Sequence, residues 1–247
     1  TDIAGNTASC TAEVLVDDQN VIAPTAVCQD FTLYLDSNGE GSISAADISS
    51  GTSNACVAGM TVSETDFDCS NIGNNAVTLT VTALNGNTTT CVANVTVLDT
   101  IPPSIICPAD FSLSAVSGMC WATATWPLPP VDDECWITSY TCQFSPGDTF
   151  PVGVTELIYT TTDPSGNVGS CSFTITVTDD ENPVIASCPQ DITTTASPQT
   201  CDAQVYWNPP TATDNCNVTL TATHQPGDIF QGGATEATYL ATDSSGN

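Results

Sequence analysis

The 247-residue chain contains no lysine and no arginine, and its one imidazole is His224. Without basic side chains no surface can neutralise phosphates, so nucleic acid is excluded as a partner. A lysine Schiff base, an arginine clamp and a P-loop are excluded for the same reason. C-x-x-C spacing is also missing, and with a single histidine this rules against structural zinc. No apolar run approaches the roughly 20 residues of a membrane helix. The chain opens on Thr1-Asp2-Ile3-Ala4-Gly5-Asn6, which reads as the middle of a module rather than a leader peptide, so the segment is expected to be mature and internal to something longer.

What is present is acid and cysteine. Twenty-eight acidic residues face no base, and such a charge repels itself unless divalent cations or a saline medium offset it. Thirteen cysteines at regular spacing suit disulfides in an oxidising compartment. The chain is therefore expected to be extracellular or on a cell surface.

Three segments end alike, at Glu13–Asp17, Val95–Asp99 and Ile175–Asp179, with final aspartates 82 and 80 positions apart. A Pro-containing linker and a cysteine follow each ending, at Cys28, Cys107 and Cys188. A Gly-Asn turn precedes each, with a cysteine four residues beyond the Asn, as in Asn6 to Cys10, Asn87 to Cys91 and Asn167 to Cys171. Thr and Val alternate in Val77–Thr82 and Phe173–Val177, the period of a half-buried strand rich in β-branched residues. Turn residues punctuate the runs, and only Ile43–Ile48 suggests a helical turn. The expected fold is all-β, as tandem disulfide-stapled immunoglobulin-like β-sandwich repeats. The expected divisions are residues 1–18 (the end of a preceding repeat), 19–99, 100–179, and 180–247, which lacks its last strand.

Cys107-Pro108, Trp126 with Pro129-Pro130, Asp132-Asp133-Glu134-Cys135, Pro146-Gly147-Asp148, Tyr159, Asp163–Asn167 and Cys171-Ser172-Phe173 together resemble the HYR (hyalin repeat) module. The pattern recurs as Cys188-Pro189, Trp207 with Pro209-Pro210, Asp214-Asn215-Cys216, Pro226-Gly227-Asp228, Tyr239 and Asp243–Asn247. Residues 19–99 resemble a sister repeat that accompanies HYR modules in large surface adhesins of Bacteroidota, on Ala26–Asp30, Leu35–Gly39, Ser44–Ile48 and Asn85–Asn87. The resemblance implies an immunoglobulin-like fold, an adhesive or spacer role and no enzyme activity.

In an immunoglobulin-like strand order the first and last strands begin near one pole. This favours outer disulfides Cys28–Cys91 and Cys107–Cys171, and inner pairs Cys56–Cys69, Cys120–Cys135 and Cys201–Cys216. Cys10 and Cys188 are left for partners in other repeats. For Cys142 a buried free thiol, an alternative pair with Cys120 and an inter-chain bridge all stay open.

If the same pole gathers the linker, a strand-connecting loop and the last hairpin, acids converge there. They would be Asp99, Asp132, Asp133, Glu134 and Asp163 in one repeat, and Asp179, Asp180, Glu181, Asp214 and Asp243 in the next. Oxygen ligands from a linker and two loops are what Ca²⁺ takes, and such a site would stiffen the joint; Asp before Ser-Gly-Asn equally suits a plain turn. No other cofactor is expected. Asp36–Asp47 has the spacing of an EF-hand loop, but Thr32–Leu35 before it reads as a strand, so a hairpin turn is expected. Trp126 and Trp207 are expected in cores. Asp99-Thr100-Ile101 resembles a short Bacteroidota O-glycosylation signal at Thr100.

Two functions compete. One is an adhesin or stalk, of the kind used in gliding. The other is an extracellular filament in which residues 1–18 complete module 180–247 of the next copy. Expected partners are neighbouring repeats or copies of the chain, with a surface or polysaccharide as ligand. Nothing in the sequence places two carboxylates across a cleft for glycoside hydrolysis.

Overall fold

A computed structural model describes residues 3–14, 23–51 and 56–247. The chain divides into two compact units. The first comprises Thr1–Ile101 with Glu134–Trp136 and Pro164–Asn167; the second comprises Pro102–Asp133, Ile137–Asp163 and Val168–Asn247.

The first unit is a sandwich of one large and one small sheet. In the four-stranded sheet Phe31–Tyr34, Thr88–Leu98, Gly73–Ala83 and Val57–Val62 are neighbours in that order. The strands that are first and last in chain order, Phe31–Tyr34 and Thr88–Leu98, run parallel, with Phe31 opposite Val95. Glu40–Ser42 pairs with Asp66–Asp68 in the small sheet. The Thr/Val alternation has the expected effect: Val77, Leu79 and Val81 are buried while Thr78, Thr80 and Thr82 are half-buried. These side chains join Leu33, Leu35, Ile43, Ile48, Phe67, Val95 and Val97 in one core. Each fully buried Val or Leu contributes about 1.5–3 kcal/mol of transfer free energy. The segment with EF-hand spacing is a turn: Asp36 Oδ1 accepts the N–H groups of Asn38 (2.8 Å) and Glu40 (3.1 Å). These bonds hold the Asp36 carboxyl below the usual carboxylate range. Ser44–Asp47 is a turn closed by its own Ser–Asp hydrogen bonds.

The second unit repeats the plan. Ser139–Cys142, Gly153–Thr162, Val168–Thr178 and Phe111–Ser114 form its four-stranded sheet, again with the first strand parallel to the last, Phe111 opposite Ile175. Trp121–Thr123 pairs with Thr149–Pro151, and Ser104–Ile105 with Val131–Asp132. Trp126, Phe150, Leu157, Tyr159, Phe173, Ile175 and Val177 fill the core. Gly169 is required by close approach, since a Cβ there would collide with the Pro103 carbonyl oxygen. Three of these five pairings recur in residues 180–247: Val184–Ala186 with Thr211–Thr213, Asp202–Gln204 with Ile229–Gln231, and Val218–Ala222 with Tyr239–Asp243. A cavity of about 600 Å³ opens there, lined by Ile192, Val205, Trp207, Phe230 and Ala237 among others. Ile3–Val14 form no strand and Val14 is exposed; the rest of the strand read at Glu13–Asp17 lies outside the described residues.

The Pro-Gly-Asp motifs are turns that bring the Asp carboxylate back onto the chain. Asp148 accepts the Ser145 N–H and Asp228 the Gln225 N–H, both at 2.7 Å. The tryptophans also match. Trp126 Nε1 donates to Tyr159 Oη, and Trp207 Nε1 to Tyr239 Oη, each at 2.7 Å. Burial raises the Tyr159 phenol above its ordinary value, against the opposing effect of the Trp126 bond. Trp126→Phe leaves that buried oxygen without its donor and is expected to cost roughly 1–3 kcal/mol by urea unfolding. The equivalent change at half-buried Trp207 is expected to cost less, because solvent can replace the lost donor.

The disulfides correct the expected scheme. Cys28–Cys91 and Cys107–Cys171 are bonded. The inner pairs Cys56–Cys69, Cys120–Cys135 and Cys201–Cys216 do not form; Cys69 bonds Cys135 and Cys120 bonds Cys216. Short spacing misleads here because the paired residues sit on different sheets, whereas a disulfide needs Cα atoms within about 7 Å. Cys120 leads into the strand Trp121–Thr123, which pairs with Thr149–Pro151. Cys135 follows Val131–Asp132, which pairs with Ser104–Ile105. Cys56 precedes a strand of the large sheet, while Cys69 opens a single 3₁₀ turn after Asp66–Asp68 of the small one. Gly39 leaves room for the Cys69–Cys135 bridge, as a Cβ there would stand 2.7 Å from Cys69 Sγ. Cys10, Cys56, Cys142, Cys188 and Cys201 are unbonded, and Cys142 packs half-buried against the core of the second unit.

Candidate metal centre

The second unit brings Asp179, Asp214 and Asp243 together: one carboxylate oxygen from each lies within 4.8 Å of the other two. Three elements supply them. Asp179 ends the approach from strand Val168–Thr178, Asp214 follows Thr211–Thr213, and Asp243 ends the strand Tyr239–Asp243. Asp179 is only 4 % exposed and Asp243 7 %.

Each carboxylate is positioned by its neighbours. Asp179 Oδ1 accepts the Glu181 N–H at 3.2 Å and Asn215 Nδ2 at 2.9 Å. Asp214 Oδ2 accepts the Cys216 N–H at 2.9 Å, next to the Cys120–Cys216 bridge. Asp243 Oδ1 accepts three successive N–H groups, from Ser245, Gly246 and Asn247, at 2.6–2.8 Å. Asn247 Nδ2 reaches both Asp243 Oδ2 (3.0 Å) and the Asp179 carbonyl (2.8 Å).

Three oxygens at this place are buried without any hydrogen-bond partner: Asp179 Oδ2, Asp214 Oδ1 and Asn215 Oδ1. Buried acceptors are nearly always satisfied, and buried like charges repel strongly. A chain with no Lys or Arg offers no ammonium or guanidinium to answer them. Hard oxygens from several loops, with net negative charge, match the ligand set of Ca²⁺.

Burial pushes the Asp243 carboxyl up, but its hydrogen bonds to Asn247, Gly246 and Ser245 outweigh this and hold it below the ordinary carboxylate value. A depressed folded-state value means that the stabilising contribution is present above the ordinary value and is lost as pH falls through the folded value. Acid titration followed by circular dichroism is therefore expected to show a transition at a pH below the ordinary aspartate range. Asp243→Asn should remove its share of that acid limb.

Of the other expected ligands, Asp180 is exposed and accepts Ser114 Oγ at 2.6 Å. Glu181 accepts the Gly118 N–H at 3.0 Å. Neither belongs to the cluster, because the Asp180 carboxylate is turned onto the end of the strand Phe111–Ser114 and that of Glu181 onto the loop before Cys120. Asp99 and Glu134 belong to the first unit, and Asp132, Asp133 and Asp163 to the second. Asp99 is 5 % exposed, with Oδ1 accepting the Ile101 N–H and Oδ2 buried without a partner. Asp163 is buried, Asp132 is exposed, and Thr100 is exposed. Asn215 and Asn247 are not among the expected ligands; their signal in the sequence is adjacency to Asp214 and membership of the Ser-Gly-Asn turn.

These features define a class: disulfide-stapled, immunoglobulin-like β-sandwich repeats of extracellular proteins. The HYR domain model matches residues 98–177 and again 178–247, and the chain belongs to the HYR domain family. It is 35 % identical over 184 residues to hyalin of Strongylocentrotus purpuratus, covering 71 % of this chain and 15 % of hyalin. To the "Sushi, von Willebrand factor type A, EGF and pentraxin domain-containing protein 1" of Rattus norvegicus it is 36 % identical over 156 residues, covering 60 % and 4 %. The chain thus spans a small part of these relatives. Among solved structures, Drosophila N-cadherin EC1-4 aligns at 13 % identity and a TM-score of 0.31, covering 63 % of this chain and 49 % of that one.

Proposed function

We propose that the chain is a non-catalytic structural and adhesive segment of a long secreted or cell-surface protein, with Ca²⁺ bound at Asp179, Asp214 and Asp243. The observation that carries this reading is the tandem HYR match over residues 98–247, in which Cys216 of one repeat is bonded to Cys120 of the repeat before it. A bond between successive repeats keeps them from separating under load, which suits a spacer that projects a contact surface. Residues 19–99 are assigned to the sister repeat of Bacteroidota adhesins on the motifs Ala26–Asp30, Leu35–Gly39 and Ser44–Ile48, and they share devices with the HYR repeat that follows. Asp30 accepts the Asn94 N–H as Asp110 accepts the Thr174 N–H, at 2.8 and 2.7 Å. A gliding-type adhesin is the finer form of the proposal, with a surface or polysaccharide as ligand and an O-glycan at exposed Thr100. Beads coated with the chain are expected to adhere to a polysaccharide-coated surface in millimolar Ca²⁺ and to release in chelator. Equal adhesion to bare and coated surfaces would overturn the ligand assignment, and hydrolysis of the polysaccharide would overturn the non-catalytic one.

A second reading is a filament built by strand donation. Exposed Val14 and the cavity around Ile192, Val205 and Phe230 favour it, since Glu13–Asp17 resembles the last strands that end at Asp99 and Asp179. Intact mass separates the two. A native mass near 25.5 kDa supports the filament subunit, and one of hundreds of kDa supports the array.

A further inference from the structure

The cysteines of the two HYR repeats keep one register: Cys107, Cys120 and Cys135 recur as Cys188, Cys201 and Cys216, each 81 residues later. In the second unit the middle cysteine of the first HYR repeat, Cys120, is bonded to the third cysteine of the next, Cys216. In the first unit the third cysteine, Cys135, likewise bonds a residue of the preceding repeat, Cys69. The middle cysteine of the second HYR repeat, Cys201, is exposed and unbonded.

Cys201 is displayed on the hairpin equivalent to that of Cys120. Val116 N donates to Trp121 O at 2.9 Å, and its counterpart Ser197 N donates to Asp202 O at 2.8 Å. Val152 N reaches Cys120 O at 3.2 Å, and Gly232 N reaches Cys201 O at 2.9 Å. Around Cys120 this hairpin is occupied. The Glu181 carboxylate sits on the Gly118 N–H, Asn215 Nδ2 donates to Met119 O at 3.1 Å, and Cys216 closes the bridge. The hairpin Ser197–Cys201 leaves Pro198–Cys201 exposed, thiol included; the Gln199 N–H, equivalent to that of Gly118, meets only Ser197 Oγ at 3.4 Å, and Cys201 N closes the turn on Ser197 O at 2.8 Å.

We infer that Cys201 is a coupling thiol. Its partner is the third cysteine of a further HYR repeat, which docks on Ser197–Cys201 as Glu181, Asn215 and Cys216 dock on Gly118–Cys120. The bond forms by thiol–disulfide exchange with a disulfide oxidant. The Cys201 thiolate attacks the oxidant, one reduced thiol leaves, and the partner thiolate displaces the second, so that two thiols lose two protons and two electrons to one oxidant disulfide. This proposal rests on the HYR assignment and is independent of Ca²⁺.

Two experiments test it. The chain is refolded with oxidised glutathione, alkylated without reduction and mapped by Glu-specific digestion. Cys120–Cys216 with alkylated or glutathionylated Cys201 is expected, whereas a Cys201–Cys216 pair overturns the proposal. In the second, residues 168–247 are appended after Asn247. The join keeps register because Asp163–Asn167 and Asp243–Asn247 are equivalent. Molecules are scored only where Cys188 has bonded the appended copy of Cys171, which reports a completed third repeat. In these, Cys201 is expected to lose its alkylation almost completely and to appear bonded to the appended copy of Cys216, and Cys216→Ser in that copy should restore it. Cys201 still alkylated in such molecules overturns the inference and leaves the function proposed above intact.

Discussion

Chelating Ca²⁺ is expected to lower the unfolding temperature of the second unit, and Asp179→Asn to abolish the response. A ligand bound only to the native state stabilises it by about 2.7 kcal/mol when its free concentration is a hundredfold above Kd. For a unit of this size that is roughly 5–10 °C. The sign of the apo effect is the more telling one. Asp179 Oδ2 is buried and unpartnered, so Asp179→Asn removes a charge that nothing in the apo protein answers. The ion-free variant should be at least as stable as the ion-free parent, while the parent alone gains from Ca²⁺. Exposed Glu156 on the strand Gly153–Thr162 serves as control, and Glu156→Gln should keep the full response. A melting temperature that ignores the chelator would remove calcium from this protein.

Replacing Cys107 and Cys171 by Ser is expected to cost about 4 kcal/mol, since the bridge closes a loop of 64 residues. Differential scanning calorimetry should show a fall of roughly 10–15 °C, with the Ca²⁺ response retained. Replacing Cys120 and Cys216 should cost a similar amount and also weaken the Ca²⁺ response. The Cys216 N–H holds Asp214 Oδ2, so freeing Cys216 loosens the loop that presents Asp214. Equal calcium responses in the two double variants would separate the bridge from the site.

The sandwiches were legible because strand alternation is a local property: Val77–Thr82 and Phe173–Val177 show it without any knowledge of their partners. The outer bridges were legible because an immunoglobulin-like order puts the first and last strands together, as in the parallel pairing of Phe111–Ser114 with Val168–Thr178. The inner bridges were not. The 81-residue register of Cys120 and Cys135 is the same whether they bond each other or neighbours in adjacent repeats, so spacing alone does not choose between the schemes. The acids divide in the same way. Asp179, Asp180 and Glu181 are consecutive, yet only Asp179 lies in the cluster. Which of three adjacent carboxylates turns inward depends on the angle at which the chain leaves strand Val168–Thr178, and composition does not encode that angle.

The four bridges span residues 28–91, 69–135, 107–171 and 120–216, so every loop overlaps the next. A single peptide-bond cut anywhere between Cys28 and Cys216 therefore leaves the two pieces covalently joined. Trypsin-like enzymes find no Lys or Arg here, and a protease specific for acidic residues would nick the molecule without severing it. On a gel the nicked protein should migrate intact until reductant is added. A chain cross-linked this way comes apart only when it is cut and reduced, or when the cuts fall outside the overlapping loops.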